Sequence, residues 1–145
     1  MISAIFVGAA IIVATVVVES CFIALAVAGL NRNAPRLNRL RVLPRTIVML
    51  SVLTVWLLAG VSIALWLWAI VFMALGEFDT LASAIYFASV SATTLGYGDV
   101  LLSERWQLLS GFIAANGLVL FSLNTAFLFE ALRRLNETAE RTNRE

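Results

Sequence analysis

Residues 91–100 read "SATTLGYGDV" and interrupt a chain that otherwise consists mostly of Leu, Ala, Val and Ile. The chain has 145 residues, of which 61% are hydrophobic and 13% are charged. Ordinary soluble domains are about 45–50% apolar and roughly 25% charged, and one of this size could not bury so much apolar surface. We therefore expect a single unit embedded in a lipid bilayer, in which this polar, glycine-containing stretch needs an explanation.

Three apolar stretches are long enough to cross a bilayer as helices, which takes about 20 mostly apolar residues. They extend from about Ile2 to Leu30, from Thr46 to Leu75 and from Trp106 to Leu132. No basic residue precedes the first stretch, so we interpret it as a retained membrane helix and not as a signal peptide. It also lacks a regular row of Arg, so it does not resemble a voltage sensor.

The basic residues predict how these helices are oriented. All ten of them are Arg, and five lie within residues 31–45. The positive-inside rule places this segment in the cytoplasm, and four Arg after the third span indicate the same side for the C-terminus. The N-terminus and residues 76–105 are then outside. Within the basic segment, Arg36, Arg39 and Arg41 alternate with Leu, which fits either a plain loop or an interfacial helix that touches anionic lipids.

Residues 79–93, "DTLASAIYFASVSAT", predict a short helix that starts at a capping Asp79 or Thr80. Roughly 13 residues are too few to cross a bilayer, but they suit a helix that enters the membrane and turns back. The return segment would be "TLGYGDV". Non-helical backbone at membrane depth is tolerated only where protein buries it or where it lines a watery cavity. The return segment therefore lies either outside the membrane or along a pore.

The stretch "TTLGYGD" at residues 93–99 is suited to coordinating an ion with its backbone. Successive carbonyl groups of an extended strand point to opposite sides. They face one axis only if alternate residues adopt left-handed dihedral angles, which glycine does at little cost, and Gly96 and Gly98 stand at alternate positions. One chain supplies a single line of carbonyl groups, so enclosing an ion requires several copies in a closed cyclic oligomer. The negative end of the short helix's dipole would favour a cation at mid-membrane.

With the short helix before it and a span on either side, TTLGYGD resembles the selectivity filter of the tetrameric potassium channel family, T-V-G-Y-G-D, with Leu95 in place of Val. The resemblance implies an all-α membrane protein with three transmembrane helices per subunit, a re-entrant pore helix and a filter loop, assembled as a homotetramer. It implies passive, K+-selective transport across a bacterial inner membrane, with backbone carbonyl groups replacing the hydration shell of the ion.

The implied organisation is an additional helix at 1–30, the basic segment at 31–45, a pore domain at 46–135 and a cytoplasmic tail at 136–145. Within the pore domain, the outer helix is expected at 46–75, the pore helix at 80–92, the filter at 93–99 and the inner helix at 105–135. The first helix has no counterpart in the smallest family members. Whether it lies beside the outer helix of its own subunit or of a neighbour stays open.

The resemblance also assigns roles to single residues. Ion-binding positions, mainly through backbone carbonyl groups, are expected at Thr94, Leu95, Gly96, Tyr97 and Gly98, with the Thr94 hydroxyl as a further ligand of K+. Residues expected to support the filter are Thr93, Tyr86, Phe87, Val90 and Asp99. Tyr86 and Phe87 match an aromatic cuff around the filter tyrosine, and Asp99 is expected to accept a hydrogen bond from Tyr86. The proline that is common after the filter aspartate is missing, which leaves the outer mouth undefined.

The inner helix is expected to form the central cavity and the gate, through Gly117, Leu118, Phe121 and Thr125. Gly117 is either a hinge or a site of close helix packing. Two polar residues of the same span, Asn116 and Asn124, either line the cavity or form hydrogen bonds between helices.

Two residues of the first span are unusual. Glu19 lies far from both ends of this span, where ionisable side chains usually face a bundle interior or a cavity. Two interpretations stay open: Ser20 or a residue of another helix satisfies its carboxyl group, or Glu19 is an intramembrane sensor that couples channel opening to pH. The single cysteine, Cys21, is expected to be a buried, inert thiol.

Other functions fit the sequence less well. An enzyme is not expected, because the chain has no His, a single Cys and no cluster of acidic residues at the spacing that metal or acid–base chemistry needs. No cofactor and no nucleic-acid partner are expected, and K+ is implied only as the permeant ion. The remaining alternatives are a cation channel with weak selectivity and a non-conducting accessory or scaffold membrane protein.

Overall fold

The computed structural model describes residues 2–37 and 42–142, and in these ranges the chain forms four α-helices. They are α1 (Ile2–Leu37), α2 (Val42–Ala74), α3 (Leu81–Ala92) and α4 (Leu108–Thr142). The three long helices are apolar enough to cross a membrane, whereas α3 is a short apolar helix between the second and third spans. The predicted fold class, an all-helical membrane subunit with three spans and a short intervening helix, is confirmed.

The helices extend further than the apolar stretches predicted. α1 continues past Leu30, and α2 begins before Thr46. The prediction of a loop or a separate interfacial helix over residues 31–45 is therefore wrong at both ends of that segment, which belong to the long helices. Polar residues do not end a helix, and the apolar stretch reflects the thickness of the bilayer rather than helix length. Pro44 is tolerated because it lies in the first turn of α2, where its missing N–H has no helical partner to lose.

Several predicted features fall wholly or partly outside the described residues. Arg39 and Arg41 lie in the gap between α1 and α2, and the side chain of Arg36 is also outside the description. The predicted tail at 136–145 begins as helix, because α4 runs on to Thr142.

Helix α1 packs along α4 of its own chain, and the two helices are parallel. Near the start of α1, a Cβ built at Gly8 would come within 2.8 Å of the Phe112 ring. Further along, the Asn116 side chain donates a hydrogen bond of 2.8 Å to the hydroxyl of Thr15. Residue numbers rise together along this contact, which makes the directions the same.

Helix α1 also packs along α2, in the opposite direction. The Glu19 carboxyl group lies against Gly60, and the Trp56 indole donates a hydrogen bond of 2.9 Å to the Phe22 carbonyl oxygen. The first helix therefore occupies the groove between α2 and α4 of its own subunit. The structure thus gives the position of α1, which the sequence alone could not place.

An aromatic cluster fastens α3 to the end of α2. Phe72 is fully buried, and its ring centroid lies 5.6 Å from that of Trp68 and 5.3 Å from that of Phe87 on α3. Phe78, in the connection between the helices, stands 5.4 Å from Phe87. Aromatic pairs of this kind contribute about 0.5–1.5 kcal/mol each beyond the area that they bury. The short helix is thus held against the end of α2 by aromatic contacts.

The inward face of α1 is a single stripe. Its buried residues recur at intervals of three, four or seven, as expected for one side of a helix, and are Ala4, Gly8, Ile11, Thr15, Glu19 and Ala26. Cys21 follows Glu19 by two positions and so lies on the other side of the helix. It is exposed on the surface of the subunit. The predicted burial of this thiol is therefore wrong.

Candidate functional site

The short helix α3 begins and ends with side-chain caps. Thr80 is its N-cap, and the hydroxyl oxygen accepts a hydrogen bond of 3.2 Å from the backbone N–H of Ser83. At the other end, the Thr93 hydroxyl donates to the Ser89 carbonyl oxygen at 2.8 Å. Of the two predicted caps, Thr80 is the one that the structure uses. Both ends satisfy backbone groups that a helix otherwise leaves unpaired.

The segment that follows α3 folds back onto the end of this helix. The carbonyl oxygen of Val90 accepts hydrogen bonds from the backbone N–H groups of Leu95, at 3.0 Å, and of Gly96, at 3.3 Å. The Thr93 hydroxyl approaches the same oxygen at 3.2 Å. Val90 thus contacts residues 93–99, which we call the filter segment, through its backbone. The type of its side chain could not have revealed this contact.

Left-handed backbone conformations alternate along the segment. The φ angles are 53° at Gly96 and 77° at Gly98, as the two glycines predict, and 59° at Thr94. A Cβ at either glycine would meet nothing within 4 Å, so the conformation, and not the space, requires glycine there. Thr94 was not predicted to be left-handed, because for an L-residue this conformation costs roughly 1–2 kcal/mol.

Residues 93–99 are all exposed on the single subunit. Leu95 is 56% exposed and Tyr97 is 67% exposed, although both follow directly on an apolar helix. Among the described residues, no group of three or more His, Cys, Asp or Glu could hold a metal ion. The oxygen atoms that this segment contains are its backbone carbonyl oxygens, the hydroxyl groups of its threonines and of Tyr97, and the carboxylate of Asp99.

A hydrogen bond joins the short helix to the far end of the segment. The Tyr86 hydroxyl donates to Asp99 Oδ2 at 2.7 Å, as predicted, and Oδ1 of the same carboxylate accepts from the Val100 N–H at 3.1 Å. The bond to Asp99 raises the pKa of the Tyr86 phenol above its ordinary value, because an ionised phenolate would lose the bond and face the carboxylate. Phe87, in contrast, is turned into the aromatic cluster with Phe72.

A second connection in the outer segments was not predicted. Both oxygens of Glu77, just after α2, bind Ser103: Oε2 accepts from the backbone N–H and Oε1 from the hydroxyl, each at 2.7 Å. The two residues are 26 positions apart, and neither lies in a recognisable motif. This pair holds the chain after Asp99, where the proline expected from the resemblance is missing.

The predicted cavity residues of α4 fall on two different sides of the helix. Leu118, Phe121 and Thr125 line a shallow concavity on the side of α4 that the other helices leave uncovered, which we call its open side. Ser122, Ala126 and Phe129 also line this concavity. Gly117 is buried instead, against the backbone of Ala92 at the end of α3.

Asn116 and Asn124 are buried on the side of α4 that faces α1. Asn116 bonds with Thr15, so it joins two helices rather than lining the concavity. The Asn124 amide lies close to the carboxyl group of Glu19. Of the two interpretations of these residues, the contact between helices is the one that the structure supports.

A short helix that turns back through an exposed, glycine-containing segment between two apolar spans defines a pore-loop membrane protein. The Ion_trans_2 family model, described as Ion channel, matches residues 51–134, which is more than half of the chain. The chain therefore belongs to this ion channel family, of the potassium channel pore-domain type, and is not an enzyme. No curated protein and no solved structure matches the chain significantly. The family match includes most of α2, α3, the filter segment and α4 up to Arg134, and it excludes α1.

Proposed function

We propose that four copies of this chain form a K+-selective channel that passes K+ passively down its gradient. The observation that carries this proposal is the alternation of left-handed conformations at Thr94, Gly96 and Gly98. Such alternation turns successive carbonyl groups toward one side, where four strands around an axis would replace the hydration shell of the ion. The ligands would be the carbonyl oxygens of residues 94–97 and the Thr94 hydroxyl.

The exposed surfaces of the single subunit support the closed oligomer. Non-helical backbone at membrane depth has to be buried in protein or to face a watery cavity, and residues 93–99 are uncovered in one subunit. The open side of α4 is also apolar, with Leu118 56% exposed and Phe129 72% exposed. Cyclic symmetry would bring four filter segments to the axis and close the open sides of α4 around a central cavity.

The end of α3 would favour a cation in that cavity. The C-terminus of a helix carries the equivalent of roughly half a negative charge, and α3 ends at Ala92, directly before the filter segment. Four such ends converging on one axis would lower the otherwise large cost of placing a cation at mid-membrane.

The distribution of Arg supports an orientation with the N-terminus outside and the C-terminus in the cytoplasm. Arg32, Arg45 and Arg133 lie at the end of the bundle where α1 finishes, α2 starts and α4 leaves its apolar span. Glu77 and Asp99 lie at the opposite end, with the filter segment. By the positive-inside rule the Arg-rich end is cytoplasmic, and a bacterial inner membrane is the setting that we propose. Contact of the Arg-rich segment with anionic lipids stays a prediction.

Purified protein in liposomes tests the proposal. We expect a K+ flux whose reversal potential follows the K+ gradient when Na+ is on the opposite side, and a tetrameric mass in native mass spectrometry. Gly96→Ala should abolish the flux, because Ala strongly disfavours the left-handed conformation. Gly29→Ala on α1, which lies outside the proposed pore and where a Cβ meets nothing within 4 Å, is the matched control and should conduct.

Each alternative function has its own outcome in this experiment. A reversal potential that ignores the K+ gradient would identify a weakly selective cation channel. No flux from a correctly assembled oligomer would identify an accessory or scaffold protein. Equal flux from Gly96→Ala and wild type would place the conduction path elsewhere in the molecule.

A further inference from the structure

Glu19 is a buried carboxyl group that the proposed pore does not use. Its side chain is 0% exposed, and neither of its oxygens has a hydrogen-bond partner among the described residues. Ser20, the neighbouring hydroxyl, donates instead to the Val16 carbonyl oxygen at 2.7 Å. Burying an unpaired carboxylate costs several kcal/mol even after relaxation. The surroundings of Glu19 therefore decide in which form this group can stay in the protein.

No charge compensates Glu19 from the helices packed around it. α2 has no ionisable side chain between Arg45 and Glu77, and α4 has none between Arg105 and Glu130. On α1 the other titratable residue of the span is Cys21, which lies on the exposed surface. An ionised Glu19 would be an isolated charge in the apolar interior, whereas a protonated Glu19 is neutral.

The polar neighbour on α4 is an amide, which can donate from its NH2 group to a carboxylate or accept with its oxygen from a protonated carboxyl group. The Asn124 amide is close enough to interact with Glu19 electrostatically, although the contact does not meet the geometry of a hydrogen bond. Asn124 Oδ1 is likewise buried without a partner in the described part of the chain. Two acceptors cannot satisfy each other, but a proton on Glu19 supplies a donor for the amide oxygen.

The neighbour on α2 provides the space. A Cβ at Gly60 would come within 2.7 Å of Glu19 Oε2 and 3.2 Å of its carboxyl carbon, so the carboxyl group occupies the place of a missing side chain. Three helices thus meet at Glu19: α1 provides the acid, α2 the space and α4 the amide.

We propose that Glu19, Gly60 and Asn124 form a proton-binding site in the membrane interior, and that the bound proton holds α1 against the inner helix α4. Loss of the proton leaves a charge in the apolar interior that one neutral amide does not compensate and that water would stabilise, so deprotonation favours an arrangement in which α4 has moved away from α1 at this level. The Thr15–Asn116 pair, one turn along α1, carries no charge and keeps the helices joined. The coupling to conduction rests on the proposed function, since α4 would line the pore; the proton-binding site does not.

Infrared spectroscopy of the full chain in liposomes tests the proton-binding site without reference to conduction. A protonated carboxyl group has a C=O stretching band that a carboxylate lacks. We expect this band in the wild type at neutral pH, its loss in Glu19→Gln and its retention in Glu130→Gln, which alters an exposed carboxyl group of α4. If the Glu19 variant does not assemble, Gly60→Ala should shift the pH midpoint of the band and Gly111→Ala should not. Absence of a Glu19-dependent band, or equal midpoints in both glycine variants, overturns the proposal.

K+ flux from the same liposomes, measured from about pH 5 to about pH 9, tests the coupling. We expect the wild-type flux to change about tenfold over this range, within the usual size of coupling between sites. Glu19→Gln should change less than about twofold, and Glu130→Gln should respond like the wild type. A wild-type flux independent of pH, or a response retained in Glu19→Gln, overturns the coupling. Absent flux at every pH contradicts the proposed function and the coupling with it, while the infrared band still decides the proton-binding site.

Discussion

Gly117 of the inner helix lies directly against the backbone of Ala92, the last residue of α3. A Cβ at position 117 would come within 2.7 Å of the Ala92 carbonyl carbon and would collide with the carbonyl oxygen. The inner helix therefore touches the chain where the filter segment begins, at Thr93. Of the two roles considered for Gly117, close packing is the one for which the structure supplies a contact.

Gly117→Ala should destabilise the protein, because the added methyl group meets backbone and not a flexible side chain. Overpacking of this kind costs roughly 1–3 kcal/mol. Gly111→Ala is the matched control on the same helix, where the better helix propensity of Ala should add up to about 1 kcal/mol. Thermal unfolding in detergent measures both variants. Unfolding temperatures that rise equally would show that α4 does not depend on this close approach.

Glu77→Ala should release the loop after the filter segment. The Ser103 amide donates to Glu77 Oε2 at 2.7 Å, so the loss of its acceptor should speed hydrogen exchange at this amide. Glu104→Ala removes an exposed carboxyl group from the same loop and serves as the control. Exchange resolved to the peptide that contains Ser103 provides the measurement. An equal increase in both variants would mean that the effect is general to the loop and not due to the Glu77 contact.

Tyr86→Phe should lower thermal stability at neutral pH and remove a transition at alkaline pH. The folded protein favours the neutral phenol, whose pKa the bond to Asp99 raises. The contribution of this bond is therefore complete below the ordinary phenol pKa of about 10 and is lost as the pH rises through the raised value. Melting temperatures from about pH 8 to about pH 12 compare the two proteins. Tyr97 is present in both, so parallel curves would count against the assignment.

Thr94→Gly should separate the fold from the proposed ion contact. Glycine removes a left-handed penalty of roughly 1–2 kcal/mol, and its freer unfolded chain offsets roughly 0.5–1 kcal/mol of that gain. A net stabilisation of up to about 1.5 kcal/mol is expected, together with a reduced K+ flux because the hydroxyl is lost. Thr94→Ser keeps the hydroxyl and should conduct. If Thr94→Gly conducts as well as the wild type, the hydroxyl is not a ligand.

The parts of the molecule that sequence could predict are those whose physical requirement is local. A helix too short to span, followed by glycines at alternate positions, specifies a turn back through the membrane wherever it lies between two spans. The cap at Thr80 and the partner of Asp99 follow from the same short stretch. These elements lie within about twenty residues of one another, and their residue types alone indicate their chemistry.

Contacts between distant segments could not be predicted in this way. Gly60 is one small residue in a long apolar run, and only the approach of α1 shows that it makes room for Glu19. The Glu77–Ser103 pair likewise depends on how two outer segments meet. Thr94 illustrates a different limit, because a β-branched residue is expected to avoid the left-handed region that it occupies here.

α1 and α4 run in the same direction and α2 runs in the opposite one. As a result, the trypsin cleavage sites of the chain are divided between the two sides of the membrane. Trypsin cleaves after Arg and Lys, and this chain contains Arg alone. Arg32, Arg45 and Arg133 lie at one end of the bundle, whereas Arg105 lies at the other, just before α4. In sealed vesicles, trypsin added from one side would therefore cut within the filter-to-α4 connection or at the opposite end, never at both. The two fragment patterns share no cleavage site, so the chain carries its own orientation assay.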